Sequence, residues 1–217
     1  MKKLVIFDLD GTLIDSVFDL AYGANYILRK HNYPEHEMDA YRQFVGNGVY
    51  NLMLRALPES VRDASYVNQL KDEFVEFYQE NCRKYTRPYK GIVELISELK
   101  SRGILMTVAS NKYQQGTENL AKHFFGDDTF SVILGQRENV PIKPDPTIVH
   151  QILEATGVNV ADALYIGDSD VDMFTANNAE VDSVGVAWGL RSKDELVNSG
   201  AKYIVDKAEE ILELLDL

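Results

Sequence analysis

The stretch LVIFDLDGT, residues 4–12, joins a short apolar run to two carboxylates. The run over residues 4–9 has the length and the β-branched content of a buried strand. Asp8 and Asp10 lie where this strand ends, and a carboxylate is costly to bury without a partner. In an open α/β sheet, ligands bind beyond the carboxyl ends of the strands, so both side chains are predicted to face a binding crevice. The alternative is a solvated turn at the strand end.

Apolar runs of similar length recur along the chain and alternate with helical patterns. The runs that predict strands are residues 104–109, 131–134, 163–166 and 183–186, with a shorter candidate at 203–205. Helical spacing is found at residues 92–100, 114–123, 146–155, 170–178 and 207–215. Such alternation indicates a parallel sheet with crossover helices. The predicted fold class is therefore α/β, with a Rossmann-like three-layer core around a central parallel sheet.

The stretch over residues 15–90 breaks this alternation, because its apolar residues show only helical spacing. Examples are Val17, Leu20, Ala24 and Leu28, and further helical patterns lie near residues 50–56 and 67–84. We predict an all-helical domain over residues 15–90. It would be inserted into a core domain formed by residues 1–14 and 91–217.

The composition is that of a compact protein, with 217 residues of which 45% are hydrophobic and 26% charged. The formal net charge of −12 opposes binding to nucleic acid or anionic lipid, since both need clustered Lys and Arg. Cys82 is the single cysteine, which excludes an intrachain disulfide. The first apolar run is too short for a signal peptide, and no segment is long enough to span a membrane. We predict a cytoplasmic monomer or homodimer without nucleic-acid or membrane partners.

Two further motifs could handle a phosphate. Ser110 and Asn111 follow the predicted strand at 104–109, where a hydroxyl and nearby N–H groups suit a phosphoryl oxygen; an ordinary helix cap is the alternative. In KPDP, residues 143–146, the two prolines stiffen the backbone that carries Lys143. Its ammonium could offset the repulsion between a carboxylate nucleophile and a phosphate. A surface lysine beside a rigid turn is the alternative.

The last motif is GDSDVD, residues 167–172, which places three acids within five positions after a predicted strand. Such a density of acids requires a cation. Mg²⁺ binds a few carboxylate oxygens and keeps water and phosphate in its other positions, which suits Asp8, Asp168 and Asp172. Asp170 is instead predicted to cap the following helix, with Ser169 as the alternative cap.

Taken together, the four motifs resemble those of the haloacid dehalogenase superfamily, in its phosphoglycolate phosphatase-like branch with a helical cap. They occur in the family's order, and the resemblance covers essentially the whole chain. It implies a magnesium-dependent phosphatase that hydrolyses a small phosphorylated metabolite through an aspartyl-phosphate. It also implies that the insertion at residues 15–90 is the cap domain.

The resemblance implies a role for each motif residue. Asp8 would be the nucleophile, and Asp10 the general acid that protonates the leaving oxygen and then the base that activates water. The residues implied to bind phosphate are Thr12, Ser110, Asn111 and Lys143, and those implied to hold Mg²⁺ are Asp8, Asp10 through its carbonyl, Asp168 and Asp172. Thr12 would also help to set the loop geometry, and Asp172 would act from behind the ligands or through water.

The chain departs from the family pattern at two positions. Glu180 follows Ala179 where relatives often have glycine, and we expect altered turn geometry there rather than lost catalysis. Lys90 stands before Gly91, where an apolar residue or proline is more usual. We expect this lysine to change the electrostatics of the hinge to the cap.

Substrate choice is predicted to come from the helical insertion. Its predicted contact with the substrate is the turn Gly46-Asn47-Gly48, and Arg42, Arg55 and Arg87 could hold a second anionic group. Phosphoglycolate is the first candidate substrate. The alternatives are a pyrophosphatase or nucleotidase, a phosphosugar mutase with the same chemistry, and a non-catalytic regulatory binding protein.

Overall fold

The computed structural model of the protein describes residues 1–216, which fall into two compact units. An α/β unit contains Met1–Ile14 and Pro88–Leu217, and a helical unit contains Asp15–Arg87. The strands are β1 (Leu4–Phe7), β2 (Ile14–Asp15), β3 (Arg87–Pro88), β4 (Leu105–Tyr113), β5 (Val132–Gln136), β6 (Ala163–Gly167), β7 (Asp182–Val186) and β8 (Tyr203–Val205).

The α-helices follow the order of the chain. They are α1 (Val17–Lys30), α2 (Met38–Phe44), α3 (Gly48–Ala56), α4 (Ala64–Asn81), α5 (Ile92–Ser101), α6 (Gln114–Phe125), α7 (Thr147–Thr156), α8 (Asp170–Asn178) and α9 (Lys193–Asn198). Short 3₁₀ segments lie at Glu59–Val61, Val160–Asp162 and Ala208–Asp216. Among the described residues, no helix is both long enough and apolar enough to cross a membrane.

A six-stranded sheet forms the centre of the α/β unit, in the order β5-β4-β1-β6-β7-β8. Every neighbouring pair in it is parallel. All four residues of β1 are buried, as expected of a central strand that is covered on both faces. This explains why the strand is a continuous apolar run rather than an alternating one. The predicted α/β class with a central parallel sheet is confirmed.

The register of the sheet determines which polar residues meet. Phe7 of β1 pairs with Val108 of β4 on one side and with Ile166 of β6 on the other. The backbone N–H of Asp8 then donates to the carbonyl of Ile166. The residues that follow these positions therefore lie at one edge of the sheet, and they include the acids predicted to act in catalysis.

One side of the sheet is covered by α7. Its Ile148, Val149 and Ile152 are buried in a cluster with Ile6 and Tyr165 of the central strands. Burying an isoleucine side chain contributes about 1.5–3 kcal/mol to folding. This packing fixes the strands whose ends carry the polar residues.

The helical unit has its own core between α1 and α4. Leu20 and Leu28 of α1 are buried, as are Phe74 and Tyr78 of α4, whose rings stack with centroids 5.2 Å apart. A Cβ at Gly23 would lie 2.9 Å from the Phe74 ring. The glycine therefore allows the two helices to approach closely.

A buried carboxylate joins the first helix of this unit to its last residues. Asp19 accepts hydrogen bonds from the backbone N–H groups of Tyr85 and Thr86, and from the hydroxyl of Thr86 at 2.7 Å. Because Asp19 is almost wholly buried, these donors replace the water that its charge would otherwise require.

Some predicted boundaries differ from the structure. β4 continues to Tyr113, so Ser110 and Asn111 lie inside the strand rather than after it. These polar residues are buried, and they form hydrogen bonds with protein groups instead of water. The segment near the C-terminus, predicted as an α-helix over 207–215, is a 3₁₀ helix over Ala208–Asp216.

The two departures from the family pattern lie in turns. Glu180 has a φ of 57°, the left-handed conformation that favours glycine, and its side chain is exposed. The turn between α8 and β7 therefore places the strain on Glu180. Lys90 is exposed and precedes Gly91, which has a φ of 83° where α5 begins.

Candidate active site

Asp8 lies directly after β1, and only 7% of its surface is exposed. Burial is the largest influence on its carboxyl group and raises the pKa to about 7. The charge of Lys143 acts in the opposite direction, whereas the carboxylates of Asp172 and Asp10 raise the pKa further. A carboxylate in such surroundings needs positive charge from a partner to stay ionised at neutral pH.

Lys143 supplies part of this charge from a position that is almost fully buried. Its Nζ lies 3.0 Å from Asp8 Oδ1 and 2.7 Å from Asp172 Oδ1. Although burial lowers the pKa of an ammonium, the charges of Asp172 and Asp8 hold the pKa of Lys143 well above its usual value. The side chain is therefore a fixed positive charge beside Asp8.

Three acceptors hold the Lys143 ammonium in place. It donates to the carbonyl of Ala109 at 3.0 Å, to the hydroxyl of Tyr165 at 3.1 Å and to Asp172 at 2.7 Å. An ammonium has three N–H donors, so these three hydrogen bonds use all of them. Asp8 Oδ1 is buried without a hydrogen bond from any described residue, and it contacts Lys143 as an ion pair only.

Asn111 holds the backbone of this lysine. Its Oδ1 accepts from the backbone N–H of Lys143 at 2.9 Å, and its Nδ2 donates to the carbonyl of the same residue at 3.2 Å. The side chain amide thus engages both polar groups of the Lys143 backbone. In this arrangement Asn111 positions the lysine, which sequence patterns could not distinguish from direct phosphate binding.

Asp168 follows β6 and faces the same region. Thr12 Oγ1 donates to its Oδ1 at 3.2 Å, and the backbone N–H of Leu190 donates to its Oδ2 at 2.8 Å. Burial and the charges of Asp172 and Asp8 raise the pKa of Asp168 well above its usual value. Thr12, predicted to bind phosphate, here bonds to the candidate metal ligand.

Two glycines make room for the Asp168 side chain. A Cβ at Gly11 would lie 2.3 Å from Asp168 Oδ2, and a Cβ at Gly189 would lie 2.2 Å from Asp168 Cβ. Atoms that are not bonded cannot approach so closely. The Asp168 side chain is therefore packed between two backbone segments at positions where only glycine leaves enough room.

Asp172 is fully buried on the first turn of α8. Its Oδ2 accepts hydrogen bonds from the backbone N–H groups of Asp168 and Ser169 and from the Ser169 hydroxyl, and its Oδ1 accepts from Tyr165 and Lys143. Ser169 is the N-cap and forms a capping box with Asp172. The prediction that Asp170 caps this helix was wrong, because the cap lies one residue earlier.

Asp8, Asp168 and Asp172 can offer one ligand atom each, and these atoms lie within 4.8 Å of one another. Buried oxygen ligands in such a cluster suit a hard divalent cation. Two observations support the fit: the orphaned Oδ1 of Asp8 and the raised pKa values of Asp8 and Asp168. Asp172 is already engaged by five donors, so Asp8 and Asp168 are the better candidates for direct ligands.

Asp10 has a partner that the sequence analysis missed. Lys112 Nζ lies 3.2 Å from Asp10 Oδ1 and 3.1 Å from Asp10 Oδ2. The side chain of Lys112 is 2% exposed and that of Asp10 is 13% exposed. No signal in the sequence pointed to this pair, because the predicted strand ended at residue 109, whereas β4 continues through Lys112 to Tyr113.

The predicted substrate contacts lie in the helical unit. Gly46 and Gly48 have φ values of 118° and 81°, and Asn47 Oδ1 accepts a hydrogen bond from Arg55 Nη2 at 2.7 Å. Arg55 also donates to the carbonyl of Phe44 at 2.8 Å. Arg55 therefore braces the turn Gly46-Asn47-Gly48 from within the unit.

The chain is similar to known hydrolases over most of its length. Residues 5–186 match the family of haloacid dehalogenase-like hydrolases. A phosphoglycolate phosphatase of Mannheimia succiniciproducens is 30% identical over 98% of this chain and 98% of its own length, and one of Vibrio cholerae is 30% identical over 98% and 96%. A crystal structure from Lactobacillus delbrueckii subsp. bulgaricus, provisionally assigned as a phosphoglycolate phosphatase, superimposes with a TM-score of 0.91 at 31% identity over 99% of both chains.

Proposed function

Because the chain belongs to the haloacid dehalogenase-like hydrolase family, we propose that it is a magnesium-dependent phosphatase of small phosphomonoesters. The reaction proceeds through an aspartyl-phosphate on Asp8. The observation that carries this proposal is the setting of Asp8, which is buried after β1, contacts the Lys143 ammonium and forms an acid cluster with Asp168 and Asp172. Covalent capture by a carboxylate divides one difficult displacement into two easier ones.

Two carboxylates share the chemistry of each half of the reaction. Asp8 attacks phosphorus, the bond from phosphorus to the leaving oxygen breaks, and Asp10 gives its proton to that oxygen. Asp10 is then a carboxylate and takes a proton from water, whose oxygen attacks the phosphorus. The bond from phosphorus to Asp8 breaks, which releases inorganic phosphate and restores both side chains.

The surrounding residues lower the charge repulsion in this sequence. Lys143 keeps a positive charge near Asp8 as the anionic phosphate approaches. Asp8 and Asp168 would hold Mg²⁺, with Asp172 behind them and the carbonyl of Asp10 as a further oxygen. Bound there, the ion would withdraw negative charge from the phosphoryl group. Ser110 is the remaining candidate for a hydrogen bond to a phosphoryl oxygen.

Phosphoglycolate is the first substrate we propose, because several relatives similar over 96–98% of their own lengths are named phosphoglycolate phosphatases. We propose that residues 15–90 act as the cap domain and that Gly46-Asn47-Gly48 contacts the substrate. Glycines with positive φ and a bracing arginine support a defined shape for this turn.

The experiment measures phosphate release from phosphoglycolate, pyrophosphate, nucleoside monophosphates and sugar phosphates, with Mg²⁺ and with EDTA. Asp8→Asn is expected to abolish release while the circular dichroism spectrum is unchanged. Asp72→Asn is the matched control, because it makes the same chemical change at an exposed acid in the helical unit. It should retain full activity.

The outcomes separate the functional classes. Release that needs both Mg²⁺ and Asp8 supports the phosphatase and ranks its substrates. Conversion of sugar phosphates without free phosphate would instead indicate a mutase, and binding without turnover would indicate a regulatory protein. Full activity of Asp8→Asn would overturn the assignment of the nucleophile.

A further inference from the structure

We propose that Lys112 is a positioning residue for Asp10, and that it controls both proton transfers of the reaction. This inference rests on the proposed function, because it assigns to Asp10 the exchange of a proton with the leaving oxygen and with water. It adds a residue that lies outside the four motifs. Two features support this role: the contact between the two side chains, and the hydrogen bonds and packing that hold the backbone of Lys112.

The contact places one ammonium against both oxygens of the carboxylate. The two distances, 3.2 Å and 3.1 Å, are nearly equal, so Lys112 Nζ contacts both carboxylate oxygens alike. With 2% of the Lys112 side chain exposed, water competes little for this ion pair. An ion pair shielded from solvent holds its geometry better than one on the surface.

The backbone of Lys112 is fixed by its neighbours on three sides. Its N–H donates to Ser110 Oγ at 3.2 Å, and its carbonyl accepts from Thr117 Oγ1 at 3.0 Å. A Cβ at Gly135 of β5 would lie 2.6 Å from that carbonyl oxygen. The strand that carries Lys112 is thus packed against β5 and α6, which fixes the point from which its buried side chain reaches Asp10.

This arrangement gives Lys112 a distinct task in each half-reaction. In the first, it directs the carboxyl group of Asp10 toward the leaving oxygen. After the proton has moved, Asp10 carries a negative charge that the Lys112 ammonium balances. In the second half, the same contact keeps the carboxylate oriented while it accepts a proton from water. A misplacement of about 1 Å at such a group can cost a factor of 10² in rate.

The test compares two leaving groups in the whole enzyme with Mg²⁺. An alkyl phosphate must receive a proton as it leaves, whereas p-nitrophenolate departs without one. Because kcat/KM reports the steps up to the first irreversible one, it isolates formation of the aspartyl-phosphate. For Lys112→Met, we expect kcat/KM to fall about 10²-fold for the alkyl phosphate and less than about threefold for p-nitrophenyl phosphate.

The second half-reaction has its own signature. If Lys112 positions Asp10 as the base, the variant forms the aspartyl-phosphate from p-nitrophenyl phosphate normally but hydrolyses it slowly. A burst of p-nitrophenolate, about one equivalent of the enzyme, should then precede the steady state. Lys112→Arg keeps the charge and the N–H donors, and it should recover at least about tenfold of the lost rate.

A double-mutant cycle separates positioning from a general structural role. Once Asp10→Ala has removed the partner, adding Lys112→Met should change kcat/KM by less than about threefold. Lys202→Met, at a surface lysine paired with Asp182, controls for the lysine-to-methionine change. If Lys112→Met does not fold, Lys112→Gln is measured instead; it removes the charge that balances Asp10, and kcat/KM should again fall more for the alkyl phosphate than for p-nitrophenyl phosphate.

Each outcome decides the proposal. The proposal would be overturned if Lys112→Met lowered kcat/KM equally for both leaving groups or left it unchanged for both. It would also be overturned if Lys112→Met caused its full loss of kcat/KM in the Asp10→Ala background. None of these results would affect the assignment of Asp8. If the wild-type enzyme released no phosphate or ignored Asp8→Asn, the proposed function itself would fail first.

Discussion

Replacing Glu180 by glycine is expected to stabilise the protein. Glu180 has a φ of 57°, a conformation in which the Cβ of an L-residue crowds the following carbonyl at a cost of roughly 1–2 kcal/mol. Glycine removes this crowding but loses roughly 0.5–1 kcal/mol through the greater entropy of the unfolded chain. The net gain therefore lies between about 0 and 1.5 kcal/mol, and its middle value of about 0.75 kcal/mol corresponds to roughly 1.5–3 °C in Tm for a chain of this length.

The surroundings of Glu180 indicate that the gain in stability comes from the backbone conformation and not from side-chain contacts. Its side chain is exposed, and its N–H donates to the carbonyl of Asn177 in the turn after α8. The N–H of Val181 donates to the carbonyl of Ala176. These hydrogen bonds involve only the backbone, so they persist in Glu180→Gly. Activity should not change, because the turn holds none of the candidate active-site groups.

The assay is thermal unfolding of Glu180→Gly, Glu180→Asn and Glu180→Ala beside the wild type. Alanine removes the side chain and one negative charge from a chain of net charge −12, but it retains the Cβ. We expect alanine to give no gain and asparagine, which tolerates this conformation, to give part of it. If alanine stabilises as much as glycine, the gain comes from the lost charge and the backbone reasoning is refuted.

Three further outcomes are expected. Lys143→Met should lower the free energy of unfolding without metal by about 3 kcal/mol, because Asp172 would keep a buried charge without its lysine, and chemical denaturation of the EDTA-treated protein measures this. Gly189→Ala should weaken Mg²⁺ binding about 10–100-fold by displacing Asp168, and calorimetry that finds wild-type affinity would contradict it. Hydrogen bonds from Lys30 and His31 lower the pKa of Glu73 to about 2. Glu73→Gln should therefore lower the free energy of unfolding at pH 7 by about 1 kcal/mol. Because the carboxylate contributes above its unfolded pKa, that difference should disappear as the pH falls from about 4.5 toward 2.

The α/β core could be predicted from sequence because its strands are continuous apolar runs with polar ends. β1 and β6 are buried on both faces, and such strands contrast strongly with the helices between them. β4 was predicted too short for the same reason. Its last residues are polar yet buried, since they face the partners of the site rather than water. A prediction based on hydrophobicity alone places the end of a strand where its residues become polar, although the strand itself can continue, as β4 does.

Two of the motif residues that the structure brings together, Asp8 and Asp168, each follow a strand of the sheet. The parallel register aligns Asp8 with the end of β6, so spacing along the chain becomes proximity in space. The pair of Lys112 and Asp10 could not be predicted in this way. It depends on the direction of two side chains across neighbouring strands, and a lysine beside a helix start is usually solvated. The hydrogen bonds between the Asn111 side chain and the backbone of Lys143 could not be predicted for a similar reason.

The charges at this edge of the sheet explain why a divalent cation suits the site. Asp10 is balanced by Lys112, which leaves the cluster of Asp8, Asp168 and Asp172, and Lys143 contacts two of its members, Asp8 and Asp172. The three carboxylates and this one ammonium together have an excess of two negative charges when ionised. Without a cation, burial and mutual repulsion favour protonation, as the raised pKa values of Asp8 and Asp168 show. A divalent ion supplies the missing charge with one particle, whereas a monovalent ion would leave one negative charge to repel the incoming phosphate. The excess charge, together with the oxygen ligands, therefore favours an ion such as Mg²⁺.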